Sequence, residues 1–343
     1  SYKIPDHLKS KASIGVRVMA PVRNRKVQGI IVAIKDASDY KGNIREVDSL
    51  VDEFPVLDDQ LWDLILWLAD YYNTPLGVAA KAALPANLST KYEPRSQLFV
   101  KAKTEGEPLA TNAKSQIALL DYLSDKNEFI PASTLGEFAS NPIEVSRKLA
   151  EKGWVELLEK PVLPDLTRLS LNPIYKKVRF TEYQDKALDQ LKTSMDGDEF
   201  SPFLLHGVTG SGKTEIYIEA ARHGIKQNKS IIMLLPEIAL TPQIAGRFRA
   251  AFGDDVALWH SKLSQSARAW TWKKICASDY KVVVGARSAI FAPLKNLGLV
   301  VVDEEQESAY KQDSPDPRYH ARDVALMRGK IHGATVVLAS ATP

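Results

Sequence analysis

The segment HGVTGSGKTE, residues 206–215, spaces three glycines as a chain must to close on phosphate. Gly207 is followed by four residues and then by Gly212-Lys213-Thr214, the pattern of a phosphate-binding loop. Gly207, Gly210 and Gly212 reach conformations closed to side chains, so the backbone from Val208 and Thr209 through Ser211 can turn its N–H groups inward. Lys213 adds a point charge for the β- and γ-phosphates, and Thr214 offers a hydroxyl to Mg²⁺. Such a site needs a carboxylate from a neighbouring strand. VVDEEQESAYK, residues 301–311, supplies one ninety residues after Lys213. Acids at the carboxyl end of an apolar strand lie where open α/β sheets bind ligands. Asp303 is expected to hold Mg²⁺ through water, and Glu304 to orient and deprotonate an attacking water. Glu305 and Glu307 read as solvated turn acids.

These groups need a frame. PFLLH precedes the phosphate loop and the helical stretch TEIYIEAARHGIKQ follows it, adding the positive end of a helix dipole. PFLLHG, SIIMLLP, KVVVG, LGLVVVD and ATVVLAS read as buried strands alternating with helices. That alternation predicts an α/β lobe over 176–343, with a parallel sheet covered on both faces.

Upstream, IGVRVMAPV and VQGIIVAIKD are β-branched runs split by the basic turn RNRK. DDQLWDLILWLADYYNTPLG has apolar Leu61, Leu64, Ile65 and Leu68 at helical spacing. Residues 1–100 are therefore expected to form a small β-plus-α domain. Residues 101–175 read differently. NAKSQIALLDYLSDK, PASTLGEFA and NPIEVSRKLAEKG give three helices, the last capped by Asn141 with Pro142 in its first turn, and WVELLEK gives a strand. This is the order of a winged helix, followed by the linker EKPVLPD. Its third helix mixes Glu144 and Glu151 with Arg147, Lys148 and Lys152, so DNA contact, protein contact and a structural role all remain open.

Composition sets limits. Residues 1–35 hold eight Lys or Arg and one acid, Asp6, which suits either a polyanion or a solvated basic surface. The single cysteine, Cys276, excludes an intramolecular disulfide framework and a multi-cysteine zinc site within this chain, and is expected to be core or half-buried. No apolar run approaches the roughly 20 residues of a membrane helix, so the expectation is a cytoplasmic protein without membrane contact. Ser1 without an initiator Met, and TVVLASATP stopping as a strand enters a turn, read as the ends of a fragment.

GVTGSGKTE, PEIALTPQ, GARSAIFAP, DEEQ and SATP together resemble the motor lobe of superfamily 2 helicases. More narrowly, the chain is similar to the PriA family of replication-restart helicases (primosomal protein N-prime), with RecA-like lobe, winged helix and DNA-binding domain. The resemblance implies roles residue by residue. In FTEYQ, Gln184 would read adenine and Phe180 would lie near the base. Thr241 and Gln243 of PEIALTPQ, and Arg287 and Ser288 of GARSAIFAP, would contact single-strand phosphates. ESAYKQDSPDPRYHARD resembles an aromatic-rich loop whose Tyr310, Arg318, Tyr319, His320 and Arg322 would stack on bases and supply cations. Gln306, where the family usually has His, would couple the carboxylates to Ser340 and Thr342 of SATP. His260 and Ser261 match a family element of no stated role, and His260 reads as a packed histidine.

The first domain resembles one that binds a 3′ DNA end. It departs from the family at PVRNRK, where a Phe-Gly turn is usual, although Arg23, Arg25 and Lys26 could grip phosphates. The implied function is an ATP- and Mg²⁺-dependent 3′-to-5′ helicase acting on single-stranded and forked DNA with primosome or single-strand-binding proteins. Zinc and a second lobe bearing catalytic arginines would lie beyond Pro343, so these 343 residues are expected to bind DNA and ATP with little turnover. Two other readings remain: another superfamily 2 translocase, and a fork-DNA adaptor with a vestigial nucleotide site.

Overall fold

The basic turn closes a hairpin. In a computed structural model that describes residues 1–37, 40, 42–85, 88, 96–126, 128–161 and 179–342, a first short helix α1 (Asp6–Lys9) precedes β1 (Arg17–Val22) and β2 (Arg25–Ile30). These strands pair antiparallel from Arg17↔Ile30 to Val22↔Arg25, leaving Arg23 and Asn24 as the turn, with Arg23 at φ 54°. The second strand ends at Ile30, shorter than VQGIIVAIKD suggested: among the described residues it is an edge strand, and β3 (Ser49–Leu50) extends the sheet on the other side of β1. Helix α2 (Asp59–Tyr71) starts where the Asp58 side chain accepts from the Leu61 N–H, and it buries the four residues its spacing predicts. Helix α3 (Leu76–Ala83) follows.

A separate compact unit falls within Glu93–Asp165. It contains β4 (Ser96–Ala102), α4 (Lys114–Lys126), β5 (Ile130–Pro131), α5 (Pro142–Glu151) and β6 (Val155–Pro161). Val100, Leu119, Leu123, Leu149 and Val155 form its core. Two expectations shift here. A domain boundary at residue 100 would cut β4, which pairs antiparallel with β6 along its whole length. The middle helix of the expected three is only a 3₁₀ turn, Ala132–Thr134, because Thr134 donates back to the Pro131 carbonyl and the chain turns at once. Beyond Pro161, the linker EKPVLPD and the end of the expected domain lie outside the described residues.

The rest of the chain builds the α/β lobe: α6 (Glu182–Asp196), β7 (Ser201–His206), α7 (Lys213–Lys226), β8 (Ser230–Leu234), α8 (Pro242–Phe252), β9 (Val256–Trp259), α9 (Gln265–Cys276), β10 (Val282–Gly285), β11 (Leu297–Val302), α10 (Ala321–His332) and β12 (Thr335–Ser340). The six strands run parallel in the order β7-β12-β11-β8-β10-β9. β9 is the strand that pattern reading missed, since VALW is short and abuts Asp254 and Asp255. Every residue of β8 and β11 is buried, as helices on both faces require.

Ser1–Tyr92 and Leu166–Pro343 form one compact unit rather than two. Trp272 of α9, fully buried, donates its indole N–H to the Val56 carbonyl at 3.1 Å. Cys276 beside it is half-buried, and burial pushes its thiol up to about 12. Among the described residues, no helix is long and apolar enough to cross a membrane.

Candidate nucleotide and DNA site

The phosphate loop joins β7 to α7. Gly210 and Gly212 sit at φ 78° and 82°, the left-handed conformation that a side chain resists. Gly207 is tight for a different reason: a Cβ there would lie 2.8 Å from the Ser211 hydroxyl. The Gly207 N–H donates to the Ser340 carbonyl at 3.1 Å, so the loop starts stitched to β12. Lys213, buried at the start of α7, donates to the Gly207 carbonyl at 2.6 Å and lies 3.6 Å from Glu304 Oε1. Thr214 follows in the first turn of α7.

The carboxylates sit at the end of β11. Asp303 Oδ1 accepts from the Tyr217 hydroxyl at 2.9 Å and from the Glu304 N–H at 3.1 Å. Burial raises the Asp303 carboxyl, opposed by the Tyr217 bond and the Lys213 charge; burial likewise raises the Tyr217 hydroxyl. Glu304 adopts φ 49°, strained for a residue with a Cβ. That conformation turns its carboxylate towards Lys213 on one side and Gln306 on the other. Gln306 Nε2 donates to Glu304 Oε2 at 2.9 Å, Ser340 Oγ donates to Gln306 Oε1 at 2.6 Å, and the Thr342 N–H donates to Ser340 Oγ at 3.0 Å. The expected coupling residues therefore form one chain of hydrogen bonds that ends on Glu304.

Other residues fall differently from expectation. Glu305 is buried and paired with Arg322 at 3.0 Å, so it is not a solvated turn acid. Gln184 has its amide engaged: Oε1 accepts from the Thr181 N–H at 2.8 Å in a capping box, and Nε2 donates to the Ser211 carbonyl at 2.7 Å. The residue expected to read adenine thus braces the phosphate loop. Phe180 packs half-buried against the lobe core. Tyr310 and Tyr319 are both buried, and neither offers a stacking face. Tyr310 donates to the Asp303 carbonyl at 2.7 Å, and Tyr319 packs edge-on against Phe291 at 5.2 Å. Polar neighbours in the sequence hid this, because Tyr310 turns in to the end of β11 and Tyr319 packs on the segment 287–291.

Arg287 donates to the Lys311 carbonyl at 2.7 Å and lies 5.8 Å over the Tyr319 ring, so it holds the loop rather than pointing free. Ser288 accepts from the Trp259 indole at 3.1 Å. Arg322 is spent on Glu305 and Asp323, and the His320 ring caps α10 by accepting from the Arg322 N–H at 3.2 Å. Thr241 caps α8. Gln243, Arg318, Arg23, Arg25 and Lys26 are exposed, with Arg318 3.3 Å from Asp316 and Lys26 3.6 Å from Asp48. His260 is buried, as expected, and the Ser261 hydroxyl donates to Glu237.

Two residues were missed. Tyr217, which fixes Asp303, hides in an ordinary amphipathic helix. Tyr72, at the end of α2, reaches the far side of the loop: its hydroxyl accepts from the His320 N–H at 3.0 Å and donates to Asp323 Oδ2 at 3.4 Å. The only signal was the tandem aromatics in ADYYNTPLG.

The 3'DNA-binding domain (3'BD) of PriA matches residues 1–85, and a DEAD/DEAH box helicase domain matches residues 181–343. Replication restart protein PriA of Bacillus subtilis (strain 168) is 36% identical over 411 residues, covering 100% of this chain and 51% of that protein. Its namesake in Chlamydia pneumoniae is 40% identical over 352 residues, covering 100% and 46%. The chain is a PriA homologue over its whole length. It spans about half the length of the curated relatives it matches. RecG bound to a three-way DNA junction aligns with a TM-score of 0.38 and 24% identity, over 49% of this chain and 22% of that one. Within the PriA frame, α2 and Tyr72 belong to the 3′ DNA-binding domain, while the loop they touch belongs to the helicase domain.

Proposed function

We propose that this chain forms the nucleotide site and part of the DNA path of an ATP-dependent 3′-to-5′ helicase that acts on stalled or branched replication forks. The observation that carries this reading is the meeting of Lys213 with Glu304 at 3.6 Å, alongside the Tyr217–Asp303 bond. These groups come from α7 and from the end of β11, far apart in the lobe's sequence.

The residues fit a nucleoside triphosphate with Mg²⁺. Left-handed Gly210 and Gly212 and the tight backbone at Gly207 leave a cradle without side chains, and a buried lysine faces it. Val208 to Thr214 would hold the phosphates, and Thr214 and Asp303 the metal. Bound Mg²⁺ would neutralise charge building on the phosphate oxygens. Glu304 would take a proton from water, and Tyr217 would keep Asp303 in one rotamer. Gln306, Ser340 and Thr342 would transmit DNA contact to Glu304.

The reading extends to three structural parts: a 3′-end-binding domain, a winged-helix unit and a helicase lobe. Gln184 and Phe180 would border the base. Thr241, Gln243, Ser288 and Arg318 would meet DNA in the lobe, and Arg23, Arg25 and Lys26 on the hairpin. Primosome and single-strand-binding proteins are proposed as partners, and the cytoplasm as the location. Zinc is proposed only for parts of such a protein outside this sequence.

The test is ATP turnover by a protein of its relatives' full length, with and without forked DNA. Lys213→Ala and Glu304→Gln should each lower turnover by about 10²-fold or more. Undiminished turnover in both variants would end the motor assignment.

A further inference from the structure

The end of α2 presents an aromatic cluster that the fold does not bury. Trp67 and Tyr71 stack at 4.8 Å with their planes 23° apart, and Tyr72 meets both edge-on, at 6.3 and 5.0 Å. Tyr71 is 60% exposed, so the outer end of this stack opens to water. Core-facing positions of the same helix are already filled by Leu61, Leu64, Ile65 and Leu68, so Tyr71 adds little to packing.

Across the domain boundary, the exposed Lys311 ammonium lies 5.7 Å over the Tyr72 ring. The loop carrying Lys311 is held from several sides. Arg287 binds the Lys311 carbonyl, the Gln312 N–H donates to the Tyr319 carbonyl at 2.8 Å, and Gln312 Nε2 donates to the carbonyls of Pro315 and Pro317. These bonds hold the backbone that carries Lys311, so its ammonium stays tethered beside the Tyr72 ring. Helix α2 itself contributes only exposed acids nearby, Asp63 and Asp70, so the positive charge must come from the loop.

We propose that Trp67, Tyr71 and Tyr72, with Lys311, form a stacking site for an unpaired nucleobase and its phosphate. An open aromatic face beside a tethered cation is the chemistry by which proteins hold single strands without reading sequence. An aliphatic docking patch for protein would not need Lys311 over a ring. The site also explains why Tyr72 is tied to His320 and Asp323: a base on the Tyr71 face would bear directly on the segment that includes Arg322 and, through it, Glu305 beside Glu304. This inference rests on the DNA-contact part of the function proposed above.

The experiment measures binding of fluorescently labelled oligodeoxythymidine to this chain without nucleotide, across a salt series. Tyr71→Ala should weaken binding about 5–30-fold with an unchanged salt slope, while Tyr71→Phe stays within about twofold of the parent. Lys311→Ala should reduce the slope by about one. Tyr183→Ala, which removes an aromatic ring 87% exposed elsewhere on the lobe, should change nothing. A photoreactive 5-iododeoxyuridine strand should crosslink to Tyr71 or Trp67 in the unsubstituted chain, a readout independent of variant folding. If the parent binds but Tyr71→Ala binds equally well and no crosslink reaches α2, the site is overturned and the patch passes to a protein ligand. If the parent binds no single strand at all, the DNA-contact reading itself falls.

Discussion

Replacing Gln306 by Ala should uncouple Glu304 from the end of β12 while leaving the phosphate loop intact. The amide bridges the two, accepting from Ser340 at 2.6 Å and donating to the Glu304 carboxylate at 2.9 Å. A hydrogen bond to a charged group is worth about 1.5–3 kcal/mol. The Glu304 side chain is 27% exposed and Gln306 is open to solvent, so water replaces part of the loss and about 1–2 kcal/mol remains. That corresponds to about 5–30-fold in rate. The assay is steady-state ATP turnover by a protein of full relative length, with and without forked DNA, alongside fluorescent-nucleotide binding to this chain. The DNA-stimulated rate should fall by that factor, the DNA-free rate should change little, and nucleotide affinity should stay within about threefold, since Lys213 and the glycines are untouched. An equal fall with and without DNA would refute the coupling argument. So would a collapse of nucleotide affinity, which would mean that Gln306 supports the loop instead. Because an amide does not titrate near neutrality, the stimulation should also show no pH dependence arising at this position.

Other outcomes follow from the same contacts. Arg17 and Asp52 form a buried pair in the N-terminal part, with Arg17 also donating to the Leu88 carbonyl at 2.8 Å. Asp52→Ala should cost about 3–5 kcal/mol in denaturant unfolding, and adding Arg17→Met should recover much of it, because an unpaired buried guanidinium is the main penalty. Burial lowers the His332 ring to about 3, below the 6.5 of a free histidine. The unfolded chain therefore binds a proton that the folded chain refuses between those values, and stability should fall as pH drops below 6.5. The loss should reach about 1 kcal/mol at pH 5, discounted for the ring's partial exposure. His332→Gln should flatten that limb in thermal melts at pH 5 and 7, and an unchanged slope would exclude His332 as its source.

Sequence alone determined much of the site. Gly207, Gly212, Lys213 and Thr214 lie within one short stretch, the loop and the first turn of α7, and their spacing encodes the cradle because the conformations involved are local. The buried strands were legible for a similar reason: a parallel sheet covered on both faces leaves continuous apolar runs, as in SIIML and LGLVVV. Short VALW escaped because four residues beside two acids give no such run.

Tertiary structure decided what these residues do to one another. Sequence placed Tyr310 and Tyr319 among charged residues and suggested open rings, whereas both are buried, Tyr310 against the end of β11 and Tyr319 against Phe291. Arg287 and Gln184 looked available for ligands, yet loop carbonyls and the capping box hold them. Tyr72 and His320 stand 248 positions apart, and no pattern in the sequence links one to the other. Their contact exists because α2 and α10 pack in one unit and bring two otherwise ordinary polar groups within hydrogen-bonding distance. Local spacing fixes a backbone conformation; only the packing of distant elements determines which side chains are buried, which are paired, and which are left facing the solvent.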